Sequence, residues 1–248
     1  MDAQVLAAAV SLPSAPLLVP GVGRGLTSTL EQLRASVLRV ARGLPAADVL
    51  VLVASGQPAL HDAVTADLRG LGYPGHKRDL DACPPAIAAL SRLTQYPRVR
   101  RPRLPLDLAT LTLLVDRSEP VVALEASASA EFSVLSALGT SVVQALQETG
   151  LTANLVVAGD LSAGLHEGAP LAHRRGAEEW NAKVVELFTR NDPAGLDALG
   201  PRRATEVGAR GWAPLCLLHG ATMTAGLRPR VRRYAAPRGV GYLMLSAR

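Results

Sequence analysis

Three short stretches of this 248-residue chain combine polar side chains with glycine or proline at the ends of apolar runs: "LPSAPLL" at 12–18, "ASGQP" at 54–58 and "AGDLSAGLHEG" at 158–168. In the third, Asp160 and His166 pair a carboxylate with an imidazole, the combination that moves protons near neutral pH. Ser14, Ser55, Gln57 and Ser162 offer neutral hydrogen bonds around them and complete a candidate binding pocket. Cys216 and His219 stand three apart on an expected helix, a spacing that sets two metal ligands on one face, although "PLCLLHGA" is apolar enough to be core. His61, His76 and His173 complete the histidines.

Ligands bind outside the carboxyl ends of strands in open α/β sheets, so the element order decides whether the three stretches can meet. Periodicity and punctuation predict a strand at 4–11, a helix at 27–42 capped by Thr27 or Ser28, and a strand through "ADVLVLVASG" whose continuous apolar character fits a parallel sheet. A helix is expected over "ALHDAVTADLRGLG", then an irregular Pro- and Arg-rich excursion at about 73–104 with Cys83 as a loop thiol. Further on come a helix at "LDLATLTLLVDR", a strand at "EPVVALEA", a helix at "EFSVLSALGTSVVQALQETG" and a strand at "ANLVVAGDLSAG". Helices at 171–188 and through "WAPLCLLHGATM" precede a hairpin formed by "RVRRYAAPRGVGYLMLSAR". The order implies an α/β fold: a single-domain sandwich with a mainly parallel central sheet flanked by helices and a C-terminal β-hairpin. The three stretches then share one rim.

Composition bounds the partners. Pro13, Pro16 and Pro20 interrupt the N-terminal apolar run, Asp2 is the only charge before Arg24, and a membrane span or signal peptide is not expected. Two cysteines far apart in sequence fit a reducing, cytosolic setting without a structural disulfide. The basic excess is almost all arginine, concentrated in "YPRVRRPR" and "LRPRVRRYAAPR". With 3% aromatics and no recognisable nucleic-acid module, solvated surface is the favoured reading of both clusters over RNA binding. "GVGRG" at 21–25 lacks the Lys-Ser or Lys-Thr of a phosphate loop, so its glycines serve the turn into the following helix.

The stretches "AAAVSLPSAPLLVPGV", "VVAGDLSAGLHEGAP", "GWAPLCLLHGA" and "AAPRGVGYLML" resemble, in that order and over nearly the whole chain, the class III extradiol ring-cleaving dioxygenases, a superfamily that also holds the LigB-like and MEMO-like proteins, and in particular an actinobacterial branch of it. The resemblance implies a first-loop histidine that binds iron, at the position of Ser14, and a second after the next strand, where this chain has Ser55, Gly56 and Gln57. A variable third ligand falls on Gly211 and the acid/base histidine on Ala163. Serine, amide and glycine cannot replace three strong donors on one face of iron(II), so extradiol cleavage by the family mechanism is not expected. What remains is a metal-free protein, without cofactor, that binds an aromatic or planar small molecule or serves as an accessory protein, with Asp160 and His166 as the acid/base candidates. The alternatives are an oxygenase holding Fe(II), Zn or Cu on relocated ligands drawn from His61, Asp160, His166, Cys216 and His219, and an RNA-associated or multi-subunit partner. Members of the superfamily often assemble, so a homo-oligomer is a further implication, with the C-terminal hairpin as one contact.

Overall fold

The computed structural model describes residues 4–23 and 25–248. In chain order its elements are β1 (Leu6–Leu12), α1 (Ser28–Arg42), β2 (Val49–Ser55), β3 (Ala59–His61), β4 (Val64–Leu68), β5 (Tyr73–Leu80), α2 (Pro84–Thr94) and β6 (Arg98–Val99). They continue with α3 (Leu106–Val115), β7 (Val121–Ala126), α4 (Phe132–Thr149), β8 (Ala153–Ala158), α5 (Ala177–Arg190), α6 (Pro193–Glu206), α7 (Trp212–Thr224), β9 (Arg230–Ala235) and β10 (Tyr242–Ala247).

Eight strands form one sheet in the order β6-β3-β7-β2-β8-β1-β10-β9, and β4 and β5 form a separate pair. The centre is parallel, with β7, β2, β8 and β1 side by side, while β3 meets β7 and β10 meets both β1 and β9 antiparallel. Every residue of β2, β7 and β8 is buried, because helices cover both faces as crossover connections require. Alternation along each strand divides the core in two. Val51, Val53, Leu124, Leu155 and Val157 face α2, α4, α5, α6 and α7, and Val10, Leu12, Leu52, Ala54, Ala123 and Ala158 face α1 and α3. Helices α3 and α7 are apolar all round and buried accordingly. The mainly parallel sheet, its flanking helices and the closing hairpin are those expected from the element order.

Three local expectations are corrected. The helix expected over 59–72 is replaced by β3 and β4: Val64, Ala66 and Leu68 lie on the core face and Thr65 and Asp67 on the opposite one, a period of two in a segment with β-branched residues. The stretch at 73–104 is ordered as β5, α2 and β6. Its Pro84 and Pro85 occupy the first helical positions of α2, where a missing N–H costs nothing, and Cys83 is the buried N-cap residue rather than a loop thiol. The helix expected from 171 starts at Ala177, after Gly176 adopts a φ of 75° that the helix cannot include. Thr27 is the N-cap residue of α1 but makes no side-chain capping bond. No helix of the described residues is long and apolar enough to cross a membrane.

Candidate functional site

The loops after β1 and β8 meet because these strands are parallel neighbours. Ser14 lies two residues beyond Leu12 and Asp160 two beyond Ala158, so both continue the rows that face α1 and α3. The Ser14 hydroxyl donates to Asp160 Oδ2 at 2.6 Å and its backbone N–H donates to the same oxygen at 2.9 Å. Half-buried, Asp160 has its pKa raised from 3.8 to about 6. Loss of hydration is the main cause and nearby Asp107 adds to it; the two Ser14 bonds and Arg210 pull the other way. Asp107 enters from the first turn of α3 and takes a forked contact from Arg210, at 3.1 Å from Nε and 2.7 Å from the terminal nitrogen.

The segment before α7 closes the site from the other side. Ser55, at the end of β2, donates to the Arg210 carbonyl at 2.5 Å, and the Gly211 N–H donates to the Asp160 carbonyl at 2.5 Å. A Cβ on Gly211 would lie 2.6 Å from the Asp160 carbonyl oxygen and 3.0 Å from its nitrogen, so no larger side chain fits there without moving the strand end. Tyr242 bridges to Asp160 through the backbone, and burial followed by the charge of Asp160 raises its phenol pKa.

On the same face, two strands away, Glu125 lies at the last turn of the pleat in β7. Its carboxylate lies over Gly56, where a Cβ would collide with Oε1. Its Oε2 is 3.1 Å from His61 Nε2 and 3.4 Å from an Arg101 guanidinium nitrogen. His61 is fully buried and its Nδ1 has no partner among the described residues. Burial lowers the His61 pKa, against the opposing pull of Glu125. The rim thus runs Ser14, Asp160, Gly56 and Glu125 across the ends of four parallel strands, with His61 of β3 reaching Glu125 from opposite Ala123, two residues below. Sequence reasoning missed Glu125, Asp107, Arg210 and Tyr242. The detectable signal was Glu125, one charge near the end of the otherwise apolar strand "VVALEA".

The other candidates are placed elsewhere. Gln57 is exposed and makes no side-chain hydrogen bond among the described residues. Ser162 is fully buried and committed to structure: its hydroxyl donates to the Val207 carbonyl at 2.5 Å and accepts from the Gly164 N–H at 3.1 Å, and its own N–H donates to Asn181 Oδ1 at 3.1 Å. His166 is exposed, packed beside Gly168 and Gly239, and is not a hydrogen-bond partner of Asp160. Cys216 and His219 are buried in α7, both His219 nitrogens lack partners among the described residues, and the His219 ring lies 5.4 Å from that of Phe132. Burial lowers the His219 pKa and raises that of Cys216, so both stay neutral.

Iron(II) as the resemblance implies does not fit this donor set. The Ser14 and Ser55 hydroxyls are already donating, Gly211 has no room for a ligating side chain, and the Glu125 carboxylate is engaged with His61 and Arg101. Among the described residues no group of three or more His, Cys, Asp or Glu is placed to hold a metal ion.

Ser14→Ala removes a charge-assisted hydrogen bond from Asp160, with an expected loss of roughly 1–2 kcal/mol of stability at neutral pH. Because that bond lowers the Asp160 pKa, the carboxyl then titrates higher. Carboxyl-selective NMR titration of both proteins checks the direction; a downward or absent shift contradicts the contact.

No protein-family model matches the chain. No curated protein sequence matches it. Among solved structures, the crystal structure of the uncharacterized protein JW3007 from Escherichia coli K12 superposes with a TM-score of 0.65 at 17% sequence identity, covering 96% of this chain and 98% of that one. At that identity the likeness is one of fold, and it extends over essentially the full length of both chains.

Proposed function

We propose that this chain is a metal-free, extradiol dioxygenase-like protein of the cytosol that binds a small aromatic or planar molecule, or serves as an accessory protein, through the rim formed by β1, β2 and β8. The observation that carries the reading is the Ser14–Asp160 pair. At the position where the resembled enzymes hold an iron ligand, a serine is instead tied to a carboxylate of the neighbouring strand, at 2.6 Å. Asp160, with a pKa near 6, is a donor below that pH and an acceptor above it, so at neutral pH it accepts from a phenolic hydroxyl and in mild acid it can donate to one. Asp160 is therefore the acid/base group of the site, and Ser14 positions it. His166 belongs to a separate exposed loop.

The test combines elemental analysis with a binding assay. Protein prepared anaerobically and supplied with iron(II), zinc or copper is expected to retain far less than one metal per chain. Catechol is expected to perturb the emission of Trp212, which follows Gly211 at the start of α7, saturably and without oxygen uptake. Asp160→Asn should weaken that binding several-fold. Near-stoichiometric metal, or catechol-dependent oxygen consumption, overturns the reading in favour of relocated ligands.

A further inference from the structure

The two arginine clusters behave differently. In the first, three of the four arginines, Arg98, Arg101 and Arg103, meet Asp62, Glu125 and Asp67 at 2.9, 3.4 and 3.2 Å, so most of the cluster's charge is compensated within the fold. In the second, β9 forms the outer edge of the sheet and its pairing with β10 slips by one residue: Val231 faces Leu245 and Arg233 faces Met244, leaving Arg232 as the extra residue of a bulge. The slip redirects the side chains. Val231 packs against the core on the α5 side, and the Tyr234 hydroxyl, two positions past the extra residue, accepts from Asn181 of α5 at 3.1 Å. Arg232 and Arg233, though consecutive, both reach the opposite face, where α1 lies.

There they line a groove of about 520 Å³ between α1 and the hairpin, together with Arg39 and Arg248, over a floor of Val40 and Met244. The guanidiniums are anchored by neutral acceptors. Arg233 donates to Ser36 Oγ at 2.6 Å and to the Gln32 carbonyl at 3.2 Å, Arg232 Nε donates to Ser246 Oγ at 2.5 Å, and Arg248 donates to the Gly43 carbonyl at 2.6 Å. Ser36, Arg39, Val40 and Gly43 follow one another at spacings of three, one and three along α1, so Arg233, Arg39 and Arg248 reach successive turns of one helix face. Among the described residues none of these four arginines has an Asp or Glu partner, and no Asp or Glu lines the groove. Each guanidinium has five donors, and anchoring occupies at most two of them.

We propose that this groove is a binding site for the phosphate or pyrophosphate group of a small molecule carrying at least two negative charges. Guanidiniums arriving from a helix on one side and a bulged strand on the other surround a tetrahedral oxyanion, whereas a single planar carboxylate engages one fork. The volume is that of a small-molecule pocket. No aromatic ring lines the groove to stack bases, which argues against single-stranded nucleic acid as the occupant. The site shares no residue with the Ser14–Asp160 rim and stands or falls independently of it.

Calorimetric titration of the intact chain with pyrophosphate, glucose 6-phosphate and a short single-stranded oligonucleotide tests the proposal. Saturable binding of one pyrophosphate or glucose 6-phosphate per chain is expected, weakening steeply with salt. The Arg39 side chain makes no hydrogen bond or ion pair among the described residues, so Arg39→Gln should keep the fold yet weaken binding about tenfold, the scale of one lost charge-assisted contact. Arg233→Gln should weaken it at least as much, while Arg42→Gln, on the same helix but outside the groove, should leave it unchanged. Absence of saturable phosphate binding, equal affinity in the Arg39→Gln and Arg42→Gln proteins, or binding of the oligonucleotide alone each overturns it.

Discussion

Asp160→Asn is expected to abolish a pH dependence of stability that runs opposite to that of five other carboxylates in this protein. The folded chain raises the Asp160 pKa from 3.8 to about 6, so it binds that proton more tightly than the unfolded chain does. Stability contributed by this group is therefore fully present below 3.8 and is lost as the pH rises through the window up to about 6. The full shift corresponds to up to about 3 kcal/mol, less to the extent that water reaches the half-buried carboxyl. Asp48, Asp79, Glu119, Glu186 and Glu206 have lowered pKa values through hydrogen bonds and ion pairs, and they lose stability on acidification instead. The net profile of the wild-type protein mixes the two trends. The difference between variant and wild type isolates Asp160, and it should shift in favour of asparagine by up to about 3 kcal/mol from the acid to the neutral side. Urea unfolding of both proteins across the window reads it; a flat difference would mean that Asp160 is solvated and that its pairing with Ser14 does not set its charge.

The parallel strands were legible because burial on both faces leaves continuous apolar runs such as "VLVLVAS", which no amphipathic helix would show. Helix α1 was legible through its spacing of Leu30, Leu33 and Val37. The segment at 59–72 was misread because "ALHDAVTADL" satisfies helical and alternating patterns almost equally, and its pairing with distant partners, His61 with Ala123 and Val64 with Leu80, decides between them. That same error hid the His61–Glu125 contact. A histidine assigned to a helix has no register with β7, whereas on an antiparallel neighbour His61 faces Ala123 and so shares the pleat face of Glu125 two residues on. Ser14 and Asp160 were both selected as strand-end residues, but their bond depends on β1 and β8 being adjacent, a long-range fact that no local pattern encodes. The separation of His166 from Asp160 has the same origin: six positions of loop carry it to the Gly239 turn.

The same dependence on long-range packing reverses an ordinary expectation at Gly220. A glycine inside a helix costs about 1 kcal/mol relative to alanine, so Gly220→Ala in α7 would be stabilising on helix propensity alone. Here the added methyl would overlap the Ser136 carbonyl oxygen of α4 and lie 2.6 Å from Ser136 Cα. The contact is reciprocal, since a Cβ at Gly139 of α4 would overlap the Leu217 carbonyl oxygen and approach the Ala221 nitrogen to 2.5 Å. Backbone meets backbone at both glycines, with no flexible side chain able to yield, so α7 must move away from α4. The expected cost is about 3 kcal/mol, at the upper end of overpacking substitutions and opposite in sign to the propensity effect. A lowered urea midpoint for Gly220→Ala reads it, and Gly139→Ala should act in the same direction, with the double variant costing less than the sum because one separation of the helices relieves both clashes. An unchanged or raised midpoint would place the helix axes farther apart than this contact requires. The displacement also reaches the rim, because α7 begins beside Gly211, whose N–H holds the Asp160 carbonyl, and Arg210, whose carbonyl holds Ser55. Moving α7 outward admits water to Asp160, and its titration should fall back toward 3.8 in the Gly220→Ala protein.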